Sequence, residues 1–244
     1  MTLDDLIDFT PELRAEAEPI LSQYTYGPIF TPPNEVTDDN KGTALLPHIT
    51  GGANWMGATV DPETGIIYIP SDTLMFIVGL QKNMSGCSEF TYVGKLSSIT
   101  GPEGLPMVKP PYGRITAIDL NKGEILWTVP HGDGPLDHPA IKHLDLPPLG
   151  SATNGGLVHD GGVLTKTLLF QIQPILDARY KFPGDTGVVR AFDKTNGKKI
   201  WEHEFDRTPW GTPMTYMHEG KQDIVAAVGG GEQPSELIAL TLKR

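Results

Sequence analysis

The 244-residue chain has a single cysteine, Cys87, so no disulfide can close within it and cysteine content assigns no redox compartment. Basic residues are scarce as well. Nineteen Lys and Arg face thirty Asp and Glu, a formal net charge of -11. That excludes the basic stripe a phosphate backbone requires, and nucleic acid is not an expected partner. No apolar run reaches the ~18 residues that cross a bilayer. The opening MTLDDLIDF has neither a basic region nor an apolar one and does not read as a secretory leader, so an address to another compartment would lie on residues outside this chain. Low-complexity tracts are missing too, although Gly 28 and Pro 22 together make about a fifth of the residues. With 39% hydrophobic and 20% charged residues, the composition is that of a turn-rich globular chain able to bury a core.

What is present divides into a lead-in, residues 1–49, and a β-rich remainder, residues 50–244. Thr10-Pro11-Glu12 supplies a cap, a proline at the first helical position and an acidic first turn. Leu13, Ala17 and Leu21 follow at a spacing of four, and Pro19 interrupts them, so a short or kinked helix is expected. Residues 25–49 read as irregular, and no helix is expected beyond residue 50.

The remainder carries a repeat. AIDLNKGEILW (117–127) and AFDKTNGKKIW (191–201) share A-x-D-x-x-x-G-x-x-x-W, which reads as a strand, an Asp-to-Gly turn and a strand ending in Trp. Ahead of each sits another hairpin, GATVDPETGIIYIP and GGLVHDGGVLTKTLLF, making four strands per unit. A third unit, TPMTYMHEGKQDIVAAVGGG followed by ELIALTLK, offers only three. Such units suggest propeller blades, with 74–111 and 172–185 as loops inserted on one face. The fold class is therefore all-β: a partial β-propeller of about three four-stranded blades with a short N-terminal helix. Three blades cannot close a ring, and an open arc exposes strand edges, so the missing blades are expected on a further segment or another chain.

The repeat resembles the tryptophan-docking motif of quinoprotein dehydrogenases, eight-bladed propellers that hold pyrroloquinoline quinone (PQQ). GGANWMGATVDPETGIIYIP resembles the Asn-Trp blade of that family, and YGRITAIDLNKGEILW, PWGTPMTYMHEGKQDIVAAVGGG and DFTPELRAEAEPILSQYTYGPIFTPP resemble segments of its membrane-associated glucose dehydrogenase branch. The resemblance implies that Asn54 hydrogen-bonds the quinone and that Trp55 packs beside it. A neutral amide can donate to a quinone oxygen, and an indole supplies a flat apolar wall. It also implies a Ca2+ (or Mg2+) ion and a catalytic aspartate, both on earlier blades that this chain lacks. The catalytic residues are thus unknown here and no metal ligand is assigned. The expected activity is oxidation of a glucose-like sugar or an alcohol, with electrons passed to ubiquinone or a cytochrome. The expected place is the periplasm, with membrane association through other segments. The branch can carry a histidine after its late glycines; Gly231 and Glu232 stand there instead, so glucose itself is not secured.

Each candidate has a plainer reading. Asn54 and Trp55 could be a turn amide and a core indole. Trp127 and Trp201 read as blade-to-blade packing. Asp133, Asp137 and His138, in HGDGPLDHP, lack the spacing of a zinc site and read as a solvated loop. Asp185 reads as a turn residue, with a place near the cofactor face as the alternative. Lys166 reads as a strand cation reaching to solvent. His159, His203 and His218 show no pairing, and Cys87 has no nearby base. The rivals to a dehydrogenase part are a non-enzymatic propeller scaffold with the same blade repeat and an inactive fragment.

Overall fold

The computed structural model describes the chain except positions 55, 56, 87, 152–160, 176–185, 231, 232 and 242–244. Trp55, Cys87, His159, Asp185, Gly231 and Glu232 therefore lie outside the described residues. One α-helix, α1, spans Pro11–Leu21. Thr10 caps it by accepting from the Leu13 N–H at 3.2 Å, and it runs through Pro19 to bury Leu13, Ala17 and Leu21. Past the helix come β1 (Asn34–Glu35) and β2 (Thr43–Leu45), two short strands where the sequence suggested none. Then follow β3 (Thr59–Asp61), β4 (Ile66–Asp72), β5 (Phe76–Lys82), β6 (Tyr92–Ser98), β7 (Gly113–Asp119) and β8 (Glu124–Pro130). The last seven are β9 (Gly162–Leu164), β10 (Leu168–Ile175), β11 (Thr186–Asp193), β12 (Lys199–Phe205), β13 (Pro209–His218), β14 (Lys221–Gly230) and β15 (Gln233–Thr241).

Three sheets follow one another as the repeat requires. The first has the order β3-β4-β7-β8, the second β9-β10-β11-β12, and the third is β13-β14-β15. Within each pair of repeat strands, the motif's Ala faces its Trp: Ala117 opposes Trp127, and Ala191 opposes Trp201. A register shift falls immediately after the Ala in both pairs, and this absorbs the odd residue of the eleven-residue motif. The Asp carboxylate closes the turn by accepting the N–H two residues on, at 2.8 Å for both Asp119–Asn121 and Asp193–Thr195. The Gly supplies the left-handed residue, with φ 72° at Gly123 and 73° at Gly197.

The sheets stack face to face. Tyr68, Ile115 and Ala117 of the first pack on Leu169 and Phe192 of the second. Ile172, Val189 and Phe205 of the second pack on Ala226 and Val228 of the third. The middle sheet is thus covered on both faces, which is why Gly187–Phe192 of β11 is buried without alternation. At the inner edge β3 lies against β9, and β9 against β13. A Cβ on Gly162 would come within 2.6 Å of Thr59 Oγ1, so this contact between inner strands depends on a glycine. This serial packing of antiparallel sheets around their first strands is propeller architecture.

Three expectations change. Residues 172–175 continue strand β10 rather than opening a loop, and the rest of the expected 172–185 loop lies outside the described residues. Residues 74–111 are not simply a surface loop. They contain the β5–β6 hairpin, which joins β1 and β2 in a separate mixed sheet. Beneath it α1 shares a core with Ile77, Leu105, Met107, Val108, Tyr112 and Ile141. The sequence hid this because the insertion lacks the repeat, and its apolar residues are matched to the lead-in rather than to the blades. Lys166 lies in the exposed turn between β9 and β10 rather than in a strand.

Tyr68 is fully buried between the first two sheets, and its hydroxyl has no hydrogen-bond partner among the described residues. Burial, helped by the carboxylates of Asp61 and Asp193, pushes its pKa up to about 12. Deleting an unpaired buried hydroxyl removes a desolvation cost. Tyr68→Phe is therefore expected to stabilise the chain by about 1 kcal/mol, read as a higher urea midpoint at unchanged slope. A lower midpoint would show that the hydroxyl has a partner in solution.

Candidate functional site

The GGANW stretch just before the innermost strand has a definite shape. Gly51 takes φ 85° and donates its N–H to the His48 carbonyl at 2.7 Å. Gly52 accepts from the Asp72 N–H at 2.8 Å, and a Cβ there would sit 2.9 Å from the Asp72 carbonyl. The glycine pair is thus explained by one left-handed residue and one close backbone approach. Both set the half-buried Asn54 at the end of the first sheet where β4 ends and β7 begins. Its Nδ2 donates to the Thr50 carbonyl at 2.8 Å, which fixes the plane of the amide. The Gly57 N–H closes the turn on the Asn54 carbonyl at 3.1 Å.

His48, which the sequence did not single out, anchors this turn. Its Nδ1 accepts from the Thr50 N–H at 3.2 Å and lies 2.9 Å from the Thr50 hydroxyl. Its ring rests on Phe76 at 4.3 Å between centroids, and burial lowers its pKa. The turn that presents Asn54 is therefore tied to the β5 hairpin.

At the same end of the sheets, a cleft opens between the 131–151 loop and the second sheet. Its volume is about 390 Å³. Arg190 of β11, only 7% exposed, is its charged centre. The Arg190 Nη1 donates to Gln173 Oε1 at 2.7 Å, and the Gln173 amide donates to the Ser151 carbonyl at 2.9 Å. Arg190 Nε lies 3.3 Å from Glu202, and Lys199 Nζ lies 2.8 Å from the same oxygen. The Lys199 hydrogen bond first, and Arg190 with it, holds the Glu202 carboxyl below its usual range. Asp133, Asp137 and His138 line this cleft; the loop they sit on is one of its walls and more than a solvated turn. His131 is fully buried beside Phe192, and burial first, then the Arg190 charge, holds its pKa well below the usual value. Among the described residues, no group of three or more His, Cys, Asp or Glu is placed to hold a metal ion. Nor is any described helix long and apolar enough to cross a membrane.

The repeat tryptophans part company. Trp127 reaches from the first sheet onto the second sheet's Asp193–Gly197 turn, where its indole N–H donates to the Lys194 carbonyl at 3.3 Å. A Cβ on Gly197 would come within 2.7 Å of the ring. Trp201 is 43% exposed and stacks on His203 at 6.0 Å. The expectation of inter-blade packing therefore fails at Trp201. The third sheet has three strands among the described residues, so the described part of it has no third-to-fourth-strand turn like the one that Trp127 meets.

Stacked antiparallel blades joined by an Asp–Gly–Trp docking repeat define a β-propeller segment. Residues 1–224 match the family described as "PQQ: Glucose/ethanol/alcohol dehydrogenase, beta-propeller domain", and the chain belongs to that family. It is 27% identical over 223 residues to quinoprotein glucose dehydrogenase A of Acinetobacter calcoaceticus, covering 84% of this chain and 25% of that protein. It is 26% identical over 232 residues to the quinoprotein glucose dehydrogenase of Escherichia coli (strain K12), covering 85% and 26%. It is 28% identical over 215 residues to the quinate/shikimate dehydrogenase (quinone) of Acinetobacter baylyi, covering 77% and 24%. The chain spans about a quarter of the length of these curated relatives.

Proposed function

We propose that this chain supplies the closing blades of a larger PQQ-dependent dehydrogenase propeller, which oxidises a sugar or an alcohol and passes electrons to a quinone or a cytochrome. The observation that carries the reading is the half-buried Asn54 amide, held at the mouth of the innermost strand of a chain of this family. The residues present suit the cofactor in one respect. A neutral amide with its plane fixed can donate to a quinone oxygen without placing a charge beside it. When bound, the quinone is the group that accepts the substrate's electrons. The share of this chain is orientation: Thr50 holds the amide, His48 holds Thr50, and Phe76 supports the His48 ring. A Ca2+ or Mg2+ ion and the catalytic base belong, in this reading, to other blades of the same ring, and the periplasm is the compartment.

A titration with PQQ, with and without Ca2+, tests this through tryptophan fluorescence. Saturable quenching is expected, with Asn54→Ala weakening binding about tenfold, as loss of one hydrogen bond implies. Absence of quenching from a chain with β-rich circular dichroism would overturn the assignment of Asn54.

A further inference from the structure

The cleft beside Arg190 is not absorbed by the cofactor reading. It lies between the 131–151 loop and strands β10, β11 and β12 of the second sheet, whereas Asn54 precedes β3, the innermost strand of the first sheet. Its floor is preorganised. The chain Ser151 carbonyl, Gln173 amide, Arg190 guanidinium and Glu202 carboxylate is built on a rigid ladder, each group fixed by the next. Two glycines keep the opposite wall close. A Cβ on Gly132 would meet Ser151 Oγ at 2.4 Å, and one on Gly134 would meet the Gly150 carbonyl at 2.6 Å.

The chemistry of the walls narrows the ligand. Arg190 uses Nε and Nη1 on Glu202 and Gln173, and its Nη2 has no hydrogen-bond partner among the described residues. His138 Nδ1 accepts from the Ala140 N–H at 3.2 Å, so the neutral ring carries its proton on Nε2. Those are donors. Asp133, Asp137 and Glu204 are acceptors with no ion-pair partner among the described residues. Pro135, Pro139, Pro174, Ile175 and Val188 add apolar surface between them. An anion would meet carboxylates on both walls. A metal ion would need a converging ligand set, and none is found among the described residues. A neutral polyol fits, because each hydroxyl both donates and accepts, while the C–H face of a pyranose can lie on the proline wall. The volume of about 390 Å³ lies within the range of small-molecule sites.

We propose that this cleft binds a neutral monosaccharide or similar polyol, at a site separate from the quinone contact. Arg190 and Gln173 form its fixed floor, and Asp133, Asp137 and Glu204 form its accepting rim. The probe is methyl α-D-glucoside, whose anomeric oxygen is capped, tested on the intact protein by saturation-transfer NMR and calorimetry without added PQQ. Saturable binding is expected, weakened about tenfold in the double variant Asp137→Asn/Glu204→Gln. Both rim residues are exposed, so the unfolding midpoint of that variant should be unchanged. Asn54→Ala should leave the glucoside affinity as it is. Absence of binding to the folded protein overturns the proposal, as does binding that the double variant does not weaken. Displacement of the glucoside by spermidine at lower concentration would assign the cleft to an organic cation instead.

Discussion

Trp127→Ala is expected to lower the free energy of unfolding by about 4 kcal/mol, whereas Trp201→Ala should cost less than about 1 kcal/mol. The two residues occupy the same position in the repeat, opposite Ala117 and Ala191, so local propensity cannot separate them. Their surroundings do. Trp127 packs with Tyr68, Ile115 and Phe192, its ring 5.7 Å from that of Tyr68, and its N–H is used on Lys194. Truncation there leaves a cavity between two sheets and strands the Lys194 carbonyl. Trp201 has 43% of its surface in solvent and loses chiefly its stacking on His203. Urea unfolding of the three proteins at one pH measures the difference. Equal losses would show that a partner covers Trp201 in solution. Gly197→Ala should behave like a weaker Trp127→Ala, since its methyl would enter the ring and φ 73° is strained for alanine.

The repeat fixes local geometry, because an Asp that closes a turn, a Gly with positive φ and a Trp opposite an Ala are each a statement about a few neighbouring residues. From these came the last two strands of each of the first two sheets, while the hairpin ahead of the second pair turns at 165–167, inside what reads as a strand. The sequence could not say what lies across from a repeat position, so Trp127 and Trp201 read alike. The insertion failed for a related reason. Phe76–Lys82 pairs with Asn34–Glu35 and Thr43–Leu45 on one side of position 50 and with Tyr92–Ser98 on the other, and long-range pairing leaves no periodicity to find. Asn54 was legible only through resemblance, since an amide after two glycines is also an ordinary turn. His48, Arg190 and Gln173 left no signal. Each is a single polar residue in an apolar or irregular stretch, and it matters through partners 2, 12 or 17 positions away.

A second large effect is expected where the first two sheets are tied by charge. Lys194 Nζ lies 2.7 Å from Asp61 Oδ2, with side-chain exposures of 14% and 3%. The hydrogen bond from Lys194 is the main reason the Asp61 carboxyl is held below its usual pKa, against the opposing effect of burial. Lys194→Met is expected to cost about 3 kcal/mol at neutral pH, because it leaves a buried carboxylate uncompensated between the sheets. The pH dependence follows from the sign of the shift. A group whose folded pKa is depressed stabilises the fold fully above its unfolded value, near 3.9 for aspartate, and that contribution is lost as pH falls through the folded value. The wild-type chain should therefore lose stability on acidification below about pH 4, and Lys194→Met should lose less over the same interval. Asp61→Asn in the Lys194→Met background should recover part of the 3 kcal/mol, since the amide carries no charge to desolvate. If the single and double variants are equally unstable, the pair acts through packing of the lysine stem alone. If acidification destabilises Lys194→Met as steeply as the wild type, other carboxylates carry the acid limb. Trp127 already takes the Lys194 carbonyl, so one turn of the second sheet receives both the indole and the carboxylate of the first. The two substitutions should then be non-additive, and their coupling would measure how far this single turn holds adjacent blades together.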